Sequence, residues 1–405
     1  MTASLTRFLT SLRDLPRAYT WTSLLVGLLA VIVAFSGPVL IVLQAAQSAR
    51  LTPEQTTSFV WAVVIGSGLM SIFMSLWYRM PVLGAWSTPG VVLLISSLGL
   101  YEYHEAIGAF VLAGAGVMLL GLTGWYSRVL RLVPTPIIMG MLAGVLLHYG
   151  ADAFGVLPEN PLMVIAMIAV FFVLRRRRFR APTLGALLAG LVIAGLSGLV
   201  SIPPLDLAFT QPVFTAPTFT FSAALGIGLP LFILAITSQN APGLAVLQNY
   251  GYTLPIDSML IFTGFASMLL APFGGPGINL AAITASMVAS PEAHPRPQDR
   301  YTASLSTGLG YVLFGTFSAA AVTVFSALPH ALMATVAGLA LLGTITSAMT
   351  AAVEKPETRD AGVVALLCTA ANFNLLGIGA PFWGLVFGLL VHAIYTLRRR
   401  SAAAG

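Results

Sequence analysis

This sequence has very little charge. Asp, Glu, Lys and Arg make up 8% of its 405 residues, where a soluble domain carries about 25%. Residues 55–78, 80–101, 106–127, 132–151, 181–205, 207–256, 258–291, 301–353 and 361–397 contain none of them. A single helical span needs roughly 20 apolar residues, so the longest runs must hold two each. That excludes a soluble fold and leaves an integral membrane protein in contact with a lipid bilayer. Cysteine is nearly absent too: Cys368, alone in an apolar segment, rules out an intramolecular disulfide and any multi-thiolate metal site. Five scattered histidines offer no tetrahedral zinc site. There is no HExxH, no paired Asp-rich diphosphate motif and no GxSxG in a suitable context, so neither an enzyme nor a cofactor is expected.

The charge that is present marks sidedness. Arg7, Arg13 and Arg17 precede the first apolar run, which is too long for a signal-peptide core and reads as a retained helix. The sequence predicts helices at about 22–46, 53–78, 87–100, 105–123, 129–149, 160–174, 181–200, 221–248, 256–271, 277–289, 301–326, 330–351, 361–373 and 380–397. With the N-terminus inside, 18 of the 19 basic residues fall on the cytoplasmic side and only Arg50 lies outside. Deleting or merging one helix would invert every later loop. Fourteen spans with both termini cytoplasmic, in a cell (inner) membrane, are therefore expected. The net charge of +6 and the run RRRRFR at 175–180 follow from this asymmetry and imply no nucleic-acid partner.

Three pairs of segments recur half a chain apart. GPVLIVLQ (37–44) resembles APGLAVLQ (241–248), and STPGVVLLISS (87–97) resembles GGPGINLAAITAS (274–286). MGMLAG (139–144) resembles MATVAG (333–338). The offsets are 204, 187 and 194 residues, in the same order along the chain. Seven helices per copy is an odd number, so the second copy enters the membrane from the opposite side. Residues 1–220 and 221–405 are then two inverted seven-helix repeats, an architecture of secondary transporters.

Polar and helix-breaking residues concentrate at four places within these runs. They are Ser36-Gly37-Pro38, Ser87-Thr88-Pro89-Gly90, Ser238-Gln239-Asn240 before Pro242, and Gly275-Pro276-Gly277 with Asn279. Such groups are costly in hydrocarbon without partners. A helix beginning at Pro-Gly inside the membrane leaves unpaired N–H groups with partial positive charge. Two such ends suit an anion such as a carboxylate. The candidate substrate site is therefore Ser36, Gly37, Ser87, Thr88, Pro89, Gly90, Ser238, Gln239, Asn240, Gly275, Pro276, Gly277 and Asn279. An ordinary set of Pro-Gly kinks between packed helices is the competing account.

At these residues, SQNAPGLAVLQNYGY, APFGGPGINLAAITA and SPEAHPRPQDRYTA resemble the benzoate–proton symporter family, BenE, and the likeness covers nearly the whole chain. The resemblance implies the seven-plus-seven fold of uracil permeases and sulfate transporters. It implies a core of about 22–126 plus 221–327 and a gate of about 127–220 plus 328–397. It also implies short extended strands before discontinuous helices 3 and 10. The substrate would be benzoate or a similar aromatic carboxylate, imported with protons between core and gate. Related nucleobase permeases carry carboxylates on helices 8 and 10; here those stretches offer Gln239, Asn240 and Asn279, which suits an anion. Only eight residues follow Leu397, so no cytoplasmic regulatory domain is expected there.

The proton-coupling group stays open. His148 and His392 lie near helix ends, as interfacial or relay groups; His294 reads as a solvated loop residue, and Glu54 as an edge carboxylate. Transport of another organic anion or a nucleobase on the same fold is the main alternative. A channel would need a continuous polar lining that the sequence does not show. Gly140-x-x-x-Gly144 permits close helix contact, either within the chain or in a homodimer.

Overall fold

The computed structural model describes every residue except 1, 36–37, 130–133, 180–181, 201–203, 205–207, 377 and 404–405. The leading segment, to which the sequence assigned no element, forms an amphipathic helix, α1 (Thr2–Ala18). The first half continues with α2 (Trp21–Phe35), α3 (Pro38–Ser48), α4 (Pro53–Tyr78), β1 (Gly84–Trp86), α5 (Thr88–Ser97), α6 (Tyr103–Thr123), α7 (Thr135–Gly155), α8 (Pro161–Arg176) and α9 (Pro182–Leu196). The second half holds α10 (Phe221–Asn249), α11 (Ile256–Leu270), β2 (Ile278–Leu280), α12 (Ile283–Val288), α13 (Tyr301–Thr316), α14 (Ser318–Ser326), α15 (His330–Val353), α16 (Arg359–Ala370), a hairpin of β3 (Asn374–Leu375) and β4 (Ile378–Gly379), and α17 (Ala380–Ala403).

Among the described residues, seven helices are long and apolar enough to cross a membrane: α2–α3 taken together, α4, α6, α7, α10, α11 with its short extension, and α15. The pair α13–α14, bent by 73°, makes an eighth candidate. Shorter helices α5, α8, α9, α12 and α16, together with α17, whose apolar part is Ala380–Thr396, occupy the remaining expected positions. Large apolar side chains such as Leu25, Ile165, Val192, Leu269, Leu313 and Ile394 are exposed, as a lipid-facing surface requires.

Strands β1 and β2 pair antiparallel, with Gly84 opposite Leu280, Ala85 opposite Asn279 and Trp86 opposite Ile278. Each strand begins on a serine of the helix before it. Ser71 Oγ accepts the Gly84 N–H at 2.9 Å, and Ser267 Oγ accepts the Ile278 N–H at 2.8 Å. The separation of Gly84 from Ile278 equals that of Met139 from Met333, 194 residues in each case. Helix packing follows the same exchange. Helix α4 packs on α13 as α11 packs on α6; α7 packs on α16 as α15 packs on α8. Likewise α9 packs on α15 as α17 packs on α7, and α8 on α9 as α16 on α17. Helices α7 and α15 pack on each other.

Several expectations need correction. Gly275-Pro276-Gly277 does not open helix 10: Gly277 has φ +146° and leads into β2, and α12 begins only at Ile283. The 194-residue offset instead places Ala281–Thr284 opposite Ser87–Gly90, so the Pro-Gly motifs are not equivalent positions. Helix α10 also passes through Ser238-Gln239-Asn240 without unwinding. Ala235–Asn240 form a π-helical turn ahead of Pro242, as Ala224–Gly228 do ahead of Pro230. A proline lacks the N–H that the carbonyl four residues back would use, and its ring crowds that carbonyl; a wider turn accommodates both. Gly140 and Gly144 lie against Gly362 and Leu366 of α16, so this motif packs within the chain.

The two ends of the molecule are closed differently. At one end the extended segment 208–220 lies over the helix ends, with the N–H groups of Thr210, Thr215 and Thr218 bonded to the carbonyls of Thr316, Pro272 and His104. At the other, Arg79 reaches Asp14 of α1 at 2.9 Å and Asp299 at 3.4 Å, and stacks over Tyr301. Buried Arg300 donates from Nε to the His294 carbonyl and from an Nη to that of Ala289 just after α12. His294, read from sequence as solvated, is 2% exposed, and its Nδ1 accepts the Arg296 N–H.

Candidate functional site

A cavity of about 570 Å³ opens between two groups of helices. One wall is built by α2, α3, the end of β1, α5, α10, the turn from β2 into α12, and α13. The opposite wall comes from Pro182 and Thr183 at the start of α9 and from Ala340, Gly343, Thr344 and Ser347 of α15. Among the described residues, no charged side chain lines it. The helical 3.6-residue period explains the α15 wall: positions 340, 343, 344 and 347 form one stripe of small residues.

The aromatic side of the cavity is preorganised. Trp86 and Tyr311 line it, their ring centroids 6.0 Å apart. Behind them Phe35 meets Tyr311 edge-on at 5.7 Å and stacks on Phe314 at 3.9 Å. Offset and edge-to-face packing of this kind holds rings in place and offers an aromatic ligand a rigid partner.

Of the expected site residues, Thr88, Pro89, Ser238 and Gln239 line this cavity. The Gln239 amide makes no hydrogen bond among the described residues and is free to bond a ligand. Ser87 and Gly90 sit just behind it, where Ser87 Oγ caps the Gly90 N–H at 2.9 Å. Pro89 has no N–H, so Thr88 carries the first-turn donor of α5 that remains without a partner among the described residues. Asn240 and Asn279 do not line the cavity. Both are buried, and Asn240 Oδ1 accepts the Leu280 N–H at 2.9 Å while its Nδ2 donates to Asn279 Oδ1 at 3.4 Å. Gly275, Pro276 and Gly277 also lie away from the lining; Gly275 is held against Leu270 and Ala62. Ser36 and Gly37 lie outside the described residues.

Sequence reasoning missed Trp86, Tyr311, Thr284 and the whole α15 stripe. The stripe had a legible signal in its i, i+3, i+4, i+7 spacing. Tyr311 had none, because its distance from the breaks along the chain hides its place beside Thr284.

A second cavity of about 490 Å³ lies along the same helix α3. Pro38 and Ile41 face the first cavity, while Leu40, Gln44, Gln47 and Ser48 face the second. This one is polar and holds Asp152, His330 and Asn372, with Gln44 Oε1 buried and without a partner among the described residues. His330 Nδ1 lies 3.1 Å from Glu159. Of the two histidines considered as relays, His392 has a buried Nδ1 without a partner among the described residues and lines neither cavity. The His148 side chain is outside the description.

Residues 18–394 match the family described as BenE, benzoate membrane transport protein. The chain is 37% identical over 375 residues to the inner membrane protein YdcO of Escherichia coli K12, covering 93% of this chain and 96% of that one. It is 35% identical over 385 residues to the benzoate membrane transport protein of Acinetobacter baylyi ADP1, covering 95% and 98%. Among solved structures, SLC26A9 superimposes with a TM-score of 0.66 at 16% identity, covering 96% of this chain and 67% of that one. The transmembrane domain of the cyanobacterial bicarbonate transporter BicA gives a TM-score of 0.60 at 15% identity, covering 93% and 97%.

Proposed function

We propose a function from one premise: this chain belongs to the BenE family of benzoate membrane transport proteins. It is a multi-span transporter, not an enzyme, and its substrate is benzoate or a similar aromatic carboxylate. The observation that carries this reading is the uncharged cavity with an aromatic wall, the free Gln239 amide and the Thr88 N–H. The rings take the apolar face of the acid, and the neutral donors take its carboxylate. A lining carboxylate would repel the same ligand.

The chain works by alternating access, with the gate elements α7–α9 and α15–α17 moving against the rest around this cavity. Fourteen spans in two inverted repeats, with both termini cytoplasmic, are the architecture in this reading. Antiparallel pairing of β1 with β2, and the exchange symmetry of helix packing, support the repeat. Import of an anion against a negative-inside potential costs about 2.3 kcal/mol per 100 mV. One co-transported proton cancels that charge, which favours symport with protons. The test is uptake of labelled benzoate, uracil and sulfate by proteoliposomes with an imposed proton gradient. Saturable uptake of benzoate over the other two supports the reading. Preference for uracil or sulfate would shift it to a nucleobase or another anion on the same fold.

A further inference from the structure

Gly343 is the residue in the cavity wall whose presence packing does not explain. Helix α15 runs from His330 to Val353, so position 343 is remote from both caps, and its φ is not positive. A glycine there weakens the helix relative to alanine and needs a reason. Several other mid-helix glycines have one in close packing, while Gly155 and Gly195, which also face open space, sit at or next to a helix C-terminus. A Cβ on Gly140 would run into Gly362, one on Gly264 into Met118, and one on Gly388 into Ile137 at 2.6 Å. A Cβ on Gly343 would meet no atom of the described residues within 4 Å. Its missing side chain therefore creates empty space, and that space belongs to the 570 Å³ cavity it lines with Ala340, Thr344 and Ser347.

Cavities of roughly 300–1,000 Å³ hold drug-sized ligands, so this one has room beyond an unsubstituted benzoate. The anchoring groups proposed for the acid, Gln239, Thr88 and the Trp86–Tyr311 wall, all lie on the side opposite α15. The α15 side contributes only small side chains. We infer that Gly343 sets the size limit of the acid, and that the substrate class extends to aromatic carboxylates bearing a ring substituent that occupies the space beside it. This rests on the cavity being the substrate site.

A single methylene too many in an apolar pocket changes discrimination by roughly 10- to 200-fold, which makes the inference measurable. The experiment compares affinities for benzoate and para-isopropylbenzoate on purified protein by calorimetry, in wild type, Gly343→Ala, Gly343→Leu and Thr346→Leu. Thr346 is exposed on the same helix and lines neither cavity. Wild type and Thr346→Leu should bind both acids with similar affinity. Gly343→Leu should lose about tenfold or more for the substituted acid relative to benzoate, with Gly343→Ala between. If Gly343→Leu fails to fold, Gly343→Ala, a better helix former, still reads the ratio. An unchanged ratio in folded Gly343 variants overturns the inference, as does equal loss of both acids. Rejection of the substituted acid by wild type overturns it while leaving benzoate transport standing. If wild type binds neither acid, the substrate reading itself fails.

Discussion

Asn240 Oδ1 accepts the N–H of Leu280 at 2.9 Å, tying the π-helical turn of α10 to strand β2. Both residues are buried, so the bond has no water to replace it. Asn240→Leu should strand the Leu280 N–H and destabilise the fold by about 1–3 kcal/mol. A lower Tm of the purified protein, with transport reduced in proportion, is the expected result. An unchanged Tm would mean that the latch contributes nothing.

Gln239, the adjacent residue, should behave in the opposite way. Its amide bonds no described protein group and faces the cavity. Gln239→Leu should leave stability within about 0.5 kcal/mol of wild type. It should weaken benzoate binding by about 1.5–3 kcal/mol, the range for a hydrogen bond to a charged group. Calorimetry on the two variants side by side separates ligand contact from structural latch. Equal binding by Gln239→Leu and wild type would remove Gln239 from the site.

Gly90 and Gly277 should both resist substitution, for unlike reasons. A Cβ at 90 would lie 2.9 Å from Ser87 Oγ and 3.0 Å from Leu231, disturbing the cap of α5. A Cβ at 277 would make only ordinary contacts, 3.6 Å from Asn279 Nδ2 and 3.8 Å from Ser267 Oγ, but its φ of +146° is strained for any L side chain. Valine at either position should lower Tm and yield of folded protein, whereas Thr88→Ala should cost binding only modestly, about 1 kcal/mol. Folded, fully stable Gly277→Val with lost binding would instead make position 277 a ligand contact.

Composition and charge made most of the span positions legible, because a run of uncharged residues and an arginine-bearing loop each state one physical fact. The places where the structure departs are those where a short motif had to stand for geometry. Pro276-Gly277 resembles Pro89-Gly90 in letters, yet one pair precedes a strand and the other opens a helix. Only the pairing partner of the strand decides between them. Ser238-Gln239-Asn240 was legible as polar residues at depth, but not as a π-turn that aims Gln239 at the cavity and Asn240 at a strand. One residue along a helix turns a side chain by about 100°, which local sequence cannot assign to ligand or protein without its neighbours.

Accumulation of benzoate should follow the proton gradient. Charge-balanced or positive-inward entry is the outcome that avoids the cost of importing an anion alone. A protonophore that collapses both pH gradient and potential should therefore abolish accumulation above equilibrium in proteoliposomes. Undiminished accumulation, coupled with dependence on sodium, would remove the proton from the mechanism.

The Asp14–Arg79 contact makes docking of α1 sensitive to acid. Arg79 donates to the Asp14 carboxylate at 2.9 Å and holds its pKa below the ordinary 3.8. A carboxylate depressed in the folded state contributes stability above its unfolded pKa and loses it as pH falls through the folded value. Docking of α1 should thus hold at neutral pH and at pH near 5, and loosen only as pH falls below 3.8. Phe8 of α1 also packs on Phe73 and Trp77, so loosening should be local and leave the spans intact. Asp14→Asn mimics the protonated side chain without acid and should bring the loosened state to neutral pH. Hydrogen exchange over residues 2–18, compared between wild type and Asp14→Asn at one pH, reads this directly. Equal protection in both would show that the aromatic contacts alone hold α1 to the membrane domain, and that the ion pair is incidental.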